Sequence, residues 1–398
     1  MKYSNLLTIF FLITIILASS AGIFFDLNRM KELTSFETEA ILVQSTSTAV
    51  KDVSKPVFTY PDIIKAVYAT SWSVSKKSYV DYLIELASST EINAVVIDVK
   101  DFSGHVAYDT KLPQVEKYKA KQIRIKDIAS LVQKLHDENI YVIARMSVFQ
   151  DPILANARPD LAVLSRSKIL SQSTSSSSLW TDNWGLSWAD PSAKEVWKYN
   201  ASIAKDALSY GFDELNFDYV RFPSDGDLSD MVFPSWDEKT EKHLIIKDFF
   251  KYLRQELPGA RISVDLFGLS TISPDDLGIG QVIEDEYAYF DYVCPMVYPS
   301  HYAFGFSGYP IPSEHPYEVV ERSMKGALKR LNDFNKVNNK NAKLRPWLQD
   351  FTLTVPYDAE KVKLEIKALK DVLGKDYNGF MLWNSQNVYT KEALGPAE

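Results

Sequence analysis

Eight strand-like segments alternate with helix-like segments over roughly 330 residues, and this alternation predicts an α/β fold, a parallel (β/α)8 TIM barrel. A doubly wound open sheet is the alternative fold. However, no glycine-rich phosphate loop follows the first strand, where Ser71, Trp72 and Ser73 stand instead. The helix-like segments carry apolar residues at helical spacing, which is typical of helices that cover a sheet. These observations together favour the barrel.

The strand-like segments are short runs that are rich in β-branched and aromatic residues. Pro295 and Pro346 fall inside the sixth and seventh segments. Proline removes a hydrogen bond from the strand ladder, so the bounds of these two strands are the least sharply defined. The eight strands are predicted at 65–72, 94–100, 140–146, within 211–223, and at 261–267, 291–298, 344–351 and 379–384.

The helices between these strands have recognisable ends. Asp190 and Pro191 predict an N-cap followed by proline at the first helical position, and the helix is expected to run to about Tyr210. The acidic run 284–286 is interpreted as the solvated face of another helix.

The N-terminus carries a hydrophobic segment, predicted over residues 1–29 as a signal anchor or a signal peptide. Ala18, Ser19 and Ser20 satisfy the small-residue rule for signal cleavage. If uncleaved, residues 6–25 give about 20 mostly apolar residues, enough to span a bilayer, and we favour this interpretation. Either way the barrel is expected to be extracytoplasmic, on a single-pass membrane anchor or secreted.

A polar segment, residues 30–58, follows and is rich in Ser, Thr, Lys and Glu without sustained periodicity, so we predict a flexible linker. The barrel domain is then predicted over residues 59–392. Within it, the serine-rich stretch 165–178 predicts a flexible loop insertion.

Composition and charge exclude several classes of function. The formal net charge of −8 makes nucleic acid an unlikely partner. The single cysteine, Cys294, excludes an intrachain disulfide and a cysteine-based metal cluster, and the five histidines show no zinc-ligand spacing. No G-x-S-x-G motif of an esterase is present. We therefore expect no metal and no cofactor.

Polar side chains collect at the C-terminal ends of the predicted strands, the end that carries the chemistry in barrels of this type. By the two-residue period of a strand, Asp98, Asn216, Asp218, Asp265 and Tyr298 point inward. A buried ion-pair network is the structural interpretation of these residues. The functional interpretation is a pair of carboxyl groups for glycosidic bond cleavage, which needs an acid and a second carboxylate.

Asp218 and Asp265 are the predicted pair, because they lie on neighbouring strands. Asp218 is expected to act as nucleophile or base and Asp265 as general acid. Trp72, Trp188, Trp347 and Trp383 are candidates for stacking on sugar rings, with core packing as the alternative for each. The predicted substrate-binding residues are Asp98, Arg145, Asn216, Arg221, Tyr298, His301, Trp347, Gln349 and Trp383.

Five motifs then identify a family resemblance. The segments 95–101, 188–191, 212–223, 295–302 and 345–351 occur in the order found in a family known as the putative glycoside hydrolase domain of bacterial envelope proteins, which they resemble. The resemblance implies a barrel distantly similar to the α-amylase type. It also implies a glycosidase that acts on a cell-envelope or extracellular polysaccharide, and a non-catalytic surface glycan-binding barrel is the alternative.

The resemblance also bears on the site residues. In the α-amylase type the nucleophilic Asp ends strand four and the acid, a Glu, ends strand five, and Asp218 and Asp265 occupy these positions. Two departures leave the detailed roles open. Asn216 stands where the α-amylase pattern has an Arg two residues before the nucleophile, and Asp265 replaces the longer Glu.

Overall fold

The computed structural model describes residues 58, 60–171, 178–338 and 340–397. The predicted anchor or signal peptide, nearly all of the predicted linker and residues 172–177 of the serine-rich stretch lie outside these residues. Within the described ranges, no helix is both long enough and apolar enough to cross a membrane.

In this part of the chain, eight parallel strands close into a barrel, because each strand pairs with the next and the last pairs with the first. The predicted (β/α)8 TIM barrel is therefore confirmed. The barrel strands are β1 (Ile64–Ala69), β2 (Ala94–Lys100), β3 (Tyr141–Ser147), β4 (Glu214–Asp218), β5 (Ile262–Phe267), β6 (Tyr292–Val297), β7 (Trp347–Gln349) and β8 (Gly379–Trp383).

Helices cover the outside of the barrel. The helix over Ile128–Asp137 shows why such helices form. The Asp127 side chain caps its first turn by accepting from the Ser130 N–H at 2.9 Å, and the apolar face of the helix is buried. The main helices are α1 (Lys77–Ser89), α2 (Ile128–Asp137), α3 (Lys194–Leu208), α4 (Lys242–Glu256), α5 (Ile283–Tyr287), α6 (Pro316–Val337) and α7 (Ala359–Leu373).

Side chains alternate between the barrel interior and the covering helices along the strands. Tyr68 and Val96 belong to the cluster that fills the interior, whereas Val67 and Val95 pack against the outer layer. Towards the N-terminal ends of the strands, the interior is closed by the fully buried ion pair between Glu214 and Arg345. The cleft that leads into the barrel interior therefore lies at the opposite, C-terminal end of the strands.

The two prolines inside predicted strands have different outcomes. Pro295 lies within β6, opposite Leu266 of β5. Pro346 interrupts the predicted seventh strand, because it has no N–H to donate to the ladder. A two-residue strand, Lys343–Leu344, therefore precedes it, and β7 follows it.

The helix predicted to start at Asp190 begins later, at Lys194. The Asp190 carboxylate does not cap that helix. It is buried and accepts N–H groups of Ser192 and Ser235 at 2.8 Å each, so it ties two loops together. The predicted serine-rich loop also contains a short helix, Arg166–Leu170, whose first turn is capped by the Ser165 hydroxyl.

The interpretation of residues 284–286 as a solvated face is wrong for two of the three. Asp285 is buried and pairs with His243 and Lys247, and Glu286 is fully buried. The reason is that α5 contacts both α4 and α6, so this short helix is covered on more than one side.

Candidate active site

One guanidinium organises the C-terminal end of the barrel. Arg145, at the end of β3, donates to Asp98 at 2.5 Å and to Asp218, and its Nε lies 3.8 Å from Asp265 Oδ2. The Asp98 carboxylate also accepts from the Tyr68 hydroxyl at 2.5 Å. All of these groups are buried, so the guanidinium and the carboxyl groups interact in surroundings that screen charge weakly.

Asp218, the last residue of β4, accepts hydrogen bonds from two donors. Arg145 donates to one carboxylate oxygen and the Tyr219 N–H donates to the other at 2.6 Å. Tyr219 adopts a φ of 54°, the left-handed region that is rare for a bulky residue. This turn ends the strand and directs the following residues towards the mouth of the barrel, where Tyr219 and Arg221 line the cleft.

Asp265 on β5 has two different carboxyl oxygens. Its Oδ1 accepts the Trp347 indole N–H at 2.7 Å and the Asn216 amide at 2.8 Å. No described residue donates a hydrogen bond to its Oδ2. Burial first, and then the negative charge of Asp218, raise the pKa of Asp265 well above its ordinary value. A proton on Asp265 therefore belongs on Oδ2, the oxygen without a donor.

The neighbouring Asp98 differs in its surroundings. Burial raises its pKa, while the charge of Arg145 and the hydrogen bond from Tyr68 act in the opposite direction. Asp98 is 2% exposed and is not among the residues that line the cleft. Asp98 therefore holds Arg145 in position from the barrel interior and does not contact a molecule bound in the cleft.

A cleft of about 530 Å³ lies above these residues, large enough for a sugar ring and its neighbours. The Trp383 ring forms part of its wall and stacks on Tyr68 with ring centres 4.0 Å apart. Much of the remaining wall is apolar or aromatic, as in sites that bind the faces of sugar rings. These residues include Phe267, Leu269, Met296, Tyr302 and Phe306.

The structure brings most of the predicted site residues together at this cleft. Those that line it are Arg145, Asp218, Arg221, Asp265, Tyr298, His301, Trp347 and Trp383. Three predicted binding residues do not line it: Asp98, Asn216 and Gln349. Asn216 is fully buried and holds Asp265, and the Gln349 side chain bridges two loops by accepting from Ser300 N and donating to Phe351 O.

The four tryptophans that were candidates for stacking on sugar rings have different environments in the structure. Trp347 is 1% exposed and serves as a hydrogen-bond donor to Asp265, so it is not a stacking surface. Trp188 is fully buried and donates to Asp182. Trp72 is exposed and lies with its ring 4.6 Å from the Arg124 guanidinium. Of the four candidates, Trp383 fits the predicted role of a cleft wall.

Tyr68 is a site residue that the sequence reasoning missed. The signal was present, because Ile64, Ala66 and Tyr68 share the inner face of β1 by the two-residue period and Tyr68 stands near the C-terminal end. The cleft residues Phe267, Tyr302 and Phe306 carry no comparable signal, since they lie at the end of a strand and in loops.

No group of three or more His, Cys, Asp or Glu in the described ranges is arranged to hold a metal ion. The carboxyl groups that converge at the site instead surround an arginine. The arrangement therefore places a carboxyl group that contacts a guanidinium next to a carboxyl group with a raised pKa, which suits acid–base chemistry.

Comparison with known proteins gives a family match. Residues 66–389 match the model of a family described as "Putative glycosyl hydrolase domain". No curated protein matches the chain significantly.

Several solved structures are similar. A hypothetical protein from Ruminiclostridium thermocellum ATCC 27405 is 36% identical with a TM-score of 0.45, covering 53% of this chain and 98% of that one. An α-galactosidase from Thermus thermophilus is 13% identical with a TM-score of 0.48, covering 84% of this chain and 61% of that one. The glycoside hydrolase domain of PelA from Pseudomonas aeruginosa is 12% identical with a TM-score of 0.43, covering 83% and 97%.

Proposed function

This chain belongs to the family described as the putative glycosyl hydrolase domain, and on that premise we propose that it hydrolyses a cell-envelope or extracellular polysaccharide with Asp218 and Asp265 as its two catalytic carboxyl groups. The family confirms the class of enzyme expected from the sequence. The polysaccharide and the roles of the two residues are the proposal.

The observation that carries the proposal is the difference between the two carboxyl groups. Asp218 accepts hydrogen bonds from the Arg145 guanidinium and from the Tyr219 N–H. Asp265 has a raised pKa and one oxygen that no described residue contacts as a donor. Glycosidic bond cleavage requires two carboxyl groups in different protonation states, one ionised and the other protonated near neutral pH.

In the proposed reaction, Asp265 Oδ2 donates its proton to the glycosidic oxygen as the bond to the anomeric carbon breaks. In one alternative, Asp218 attacks the anomeric carbon and forms a glycosyl ester, which water then hydrolyses with the Asp265 carboxylate as base. In the other, Asp218 removes a proton from the water that attacks the anomeric carbon. Arg145 holds Asp218 in position by a hydrogen bond and, through its proximity to Asp265, stabilises the negative charge that Asp265 acquires after it has lost the proton. NMR observation of the first anomer released distinguishes attack by Asp218, which retains configuration, from attack by water, which inverts it.

The test of the proposal is digestion of a panel of bacterial envelope and extracellular polysaccharides, followed by assay of new reducing ends. The wild-type protein is expected to release reducing ends from at least one polysaccharide. Asp218→Asn is expected to lower that rate by about 10³-fold or more, because the ionised carboxylate is lost.

The matched control is Asp98→Asn, which also removes a carboxylate from Arg145 but outside the cleft. Asp376→Asn, at an exposed position, is the surface control. We expect Asp98→Asn to retain at least about 100-fold more activity than Asp218→Asn, with comparable effects on thermal unfolding. Equal rates for Asp218→Asn and the wild type would refute the proposal. Binding of polysaccharide without hydrolysis by the wild type would favour a glycan-binding barrel.

We also propose that residues 1–29 tether the barrel to the outer face of the cell membrane, on the basis of the apolar run at residues 6–25. Fractionation of cells, combined with protease treatment of intact cells, tests this location. Recovery of the full-length chain from the cytosolic fraction would contradict it, and a shortened chain in the medium would indicate cleavage and secretion.

A further inference from the structure

Arg221 is a buried cation at the wall of the cleft. It follows β4, and its side chain lines the cleft although the residue is 7% exposed. Its guanidinium is surrounded by aromatic rings, with centres 4.7 Å away for Phe267, 4.9 Å for Trp188 and 5.4 Å for Tyr219. These contacts stabilise a cation only in part, and removing a charge from water without a counter-ion costs free energy.

The carboxylates near Arg221 are engaged elsewhere. In the described ranges no carboxylate oxygen lies within 4 Å of its guanidinium nitrogens. Asp218 is held by Arg145. Asp225 accepts the N–H of Asn183 at 3.0 Å. Asp182 accepts hydrogen bonds from its own surroundings, namely from Gln150 Nε2, Trp184 N, Leu186 N and Trp188 Nε1.

The hydrogen bonds that Arg221 does make leave one edge of its guanidinium open. Nη1 donates to the Phe222 carbonyl and to the Ser224 hydroxyl, at 3.1 Å each. Neither Nε nor Nη2 donates to a described residue, and neither is a fully buried orphan atom. The N–H groups of Nε and Nη2 run parallel and form the fork that matches the two oxygens of a carboxylate.

We propose that Arg221 binds an acidic group of the glycan, a carboxylate such as that of a uronic acid, in the same cleft as Asp218 and Asp265. A flat carboxylate fits an open guanidinium edge, and it supplies the counter-ion that the described residues do not provide. The inference rests on the proposed function, because it takes the occupant of the cleft to be a glycan. It narrows the substrate class to acidic polysaccharides.

Binding measurements on the wild-type protein provide the test without any need for hydrolysis. The probes are D-glucuronate and D-galacturonate, compared by calorimetry with D-glucose and D-galactose, which carry a hydroxymethyl group where the acids carry a carboxylate. We expect at least one uronate to bind about 10-fold or more tightly than its neutral counterpart, the effect of hydrogen bonds to a charged group. Inorganic sulfate serves as a free anion and is expected to bind more weakly than that uronate.

Variants then assign the preference to Arg221. Arg221→Gln is expected to abolish it, and Arg221→Lys, which keeps the charge but loses the fork, to retain part of it. The control is Arg254→Gln, which removes a guanidinium that contacts Asp291 and the Tyr289 and Ala260 carbonyls, away from the cleft, and should leave the preference unchanged. If Arg221→Gln fails to fold, the comparison of uronates with neutral sugars on the wild type and on Arg221→Lys still tests whether Arg221 binds the carboxylate.

Equal affinity of the wild type for both uronates and their neutral counterparts would overturn the inference. Sulfate binding as tight as that of the uronates would also overturn it, in favour of a site for free anions. A preference for uronates without hydrolysis of any polysaccharide would uphold the inference while the proposed catalytic function fails. If the wild type hydrolyses neutral polysaccharides only, the proposed catalytic function is upheld and the inference about an acidic glycan fails.

Discussion

Glu286 on α5 provides a test of the structure that needs no substrate. Its carboxyl group is fully buried, and no other described residue donates a hydrogen bond to either oxygen. Burial raises the pKa of Glu286 well above its ordinary value, and the charges of Asp285 and Glu284 add to the effect. In the folded protein this carboxyl group is therefore protonated under conditions where the unfolded chain ionises it.

The sign of the pH dependence follows from this difference. Because the folded state binds the extra proton, the free energy of unfolding falls as the pH rises from about 4.5, the ordinary pKa of Glu, towards the raised pKa of the folded state. The loss amounts to about 1.4 kcal/mol per pH unit across that window. Glu286→Gln keeps the shape and the polarity of the protonated group but does not ionise. The variant should therefore match the wild type near pH 4.5 and become increasingly more stable than the wild type as the pH rises towards the raised pKa of Glu286.

Urea denaturation at several pH values between about 4.5 and 7.5 measures this difference. Glu314→Gln is the control, because the Glu314 side chain is exposed on the surface, and its stability difference from the wild type should not vary with pH. A constant difference between Glu286→Gln and the wild type across the range would refute the reasoning. It would mean that the Glu286 carboxylate is ionised in the folded protein and has a partner.

Two further predictions concern the barrel interior and the chemistry. Arg345→Met should lower the free energy of unfolding by about 3–5 kcal/mol, because it leaves Glu214 buried without its ion-pair partner. The double variant Arg345→Met with Glu214→Leu should lower it much less, since no buried carboxylate remains. Urea denaturation of both variants measures the two differences. Because burial and the charge of Asp218 raise the pKa of Asp265, activity should persist above the ordinary pKa of an aspartic acid and fall about tenfold per pH unit above the raised pKa. A rate that is constant into the alkaline range would contradict the acid role.

The inward direction of the carboxyl groups could be predicted from the sequence, because the two-residue period of a strand is local. Asp98, Asp218 and Asp265 each follow apolar neighbours that mark the opposite face, and the structure places all three at one guanidinium. The bounds of the seventh strand could not be fixed, since Pro346 interrupts the ladder in the middle of an otherwise strand-like run.

Other features depend on contacts between distant segments and carry no local signal. Arg145 and Arg221 were both predicted to bind substrate near Asp218, and only the register of the strands decides that Arg145 contacts this carboxyl group. Similarly, the acidic run at Glu286 has the composition of a solvated helix face. Its burial follows from the packing of α5 against α4 and α6, which the sequence of the segment does not encode.

The departure at position 216 has a physical explanation in the barrel register. The α-amylase pattern places an arginine two residues before the nucleophile, and here that position is Asn216. Arg145 on β3 is the direct register partner of Asn216 on β4, so a cation stands at the same level of the barrel, one strand away. It contacts Asp218 from there, which leaves the Asn216 amide free to donate to Asp265. Arg145 of β3 thus provides the guanidinium that contacts Asp218, and residue 216 orients the neighbouring carboxyl group of Asp265.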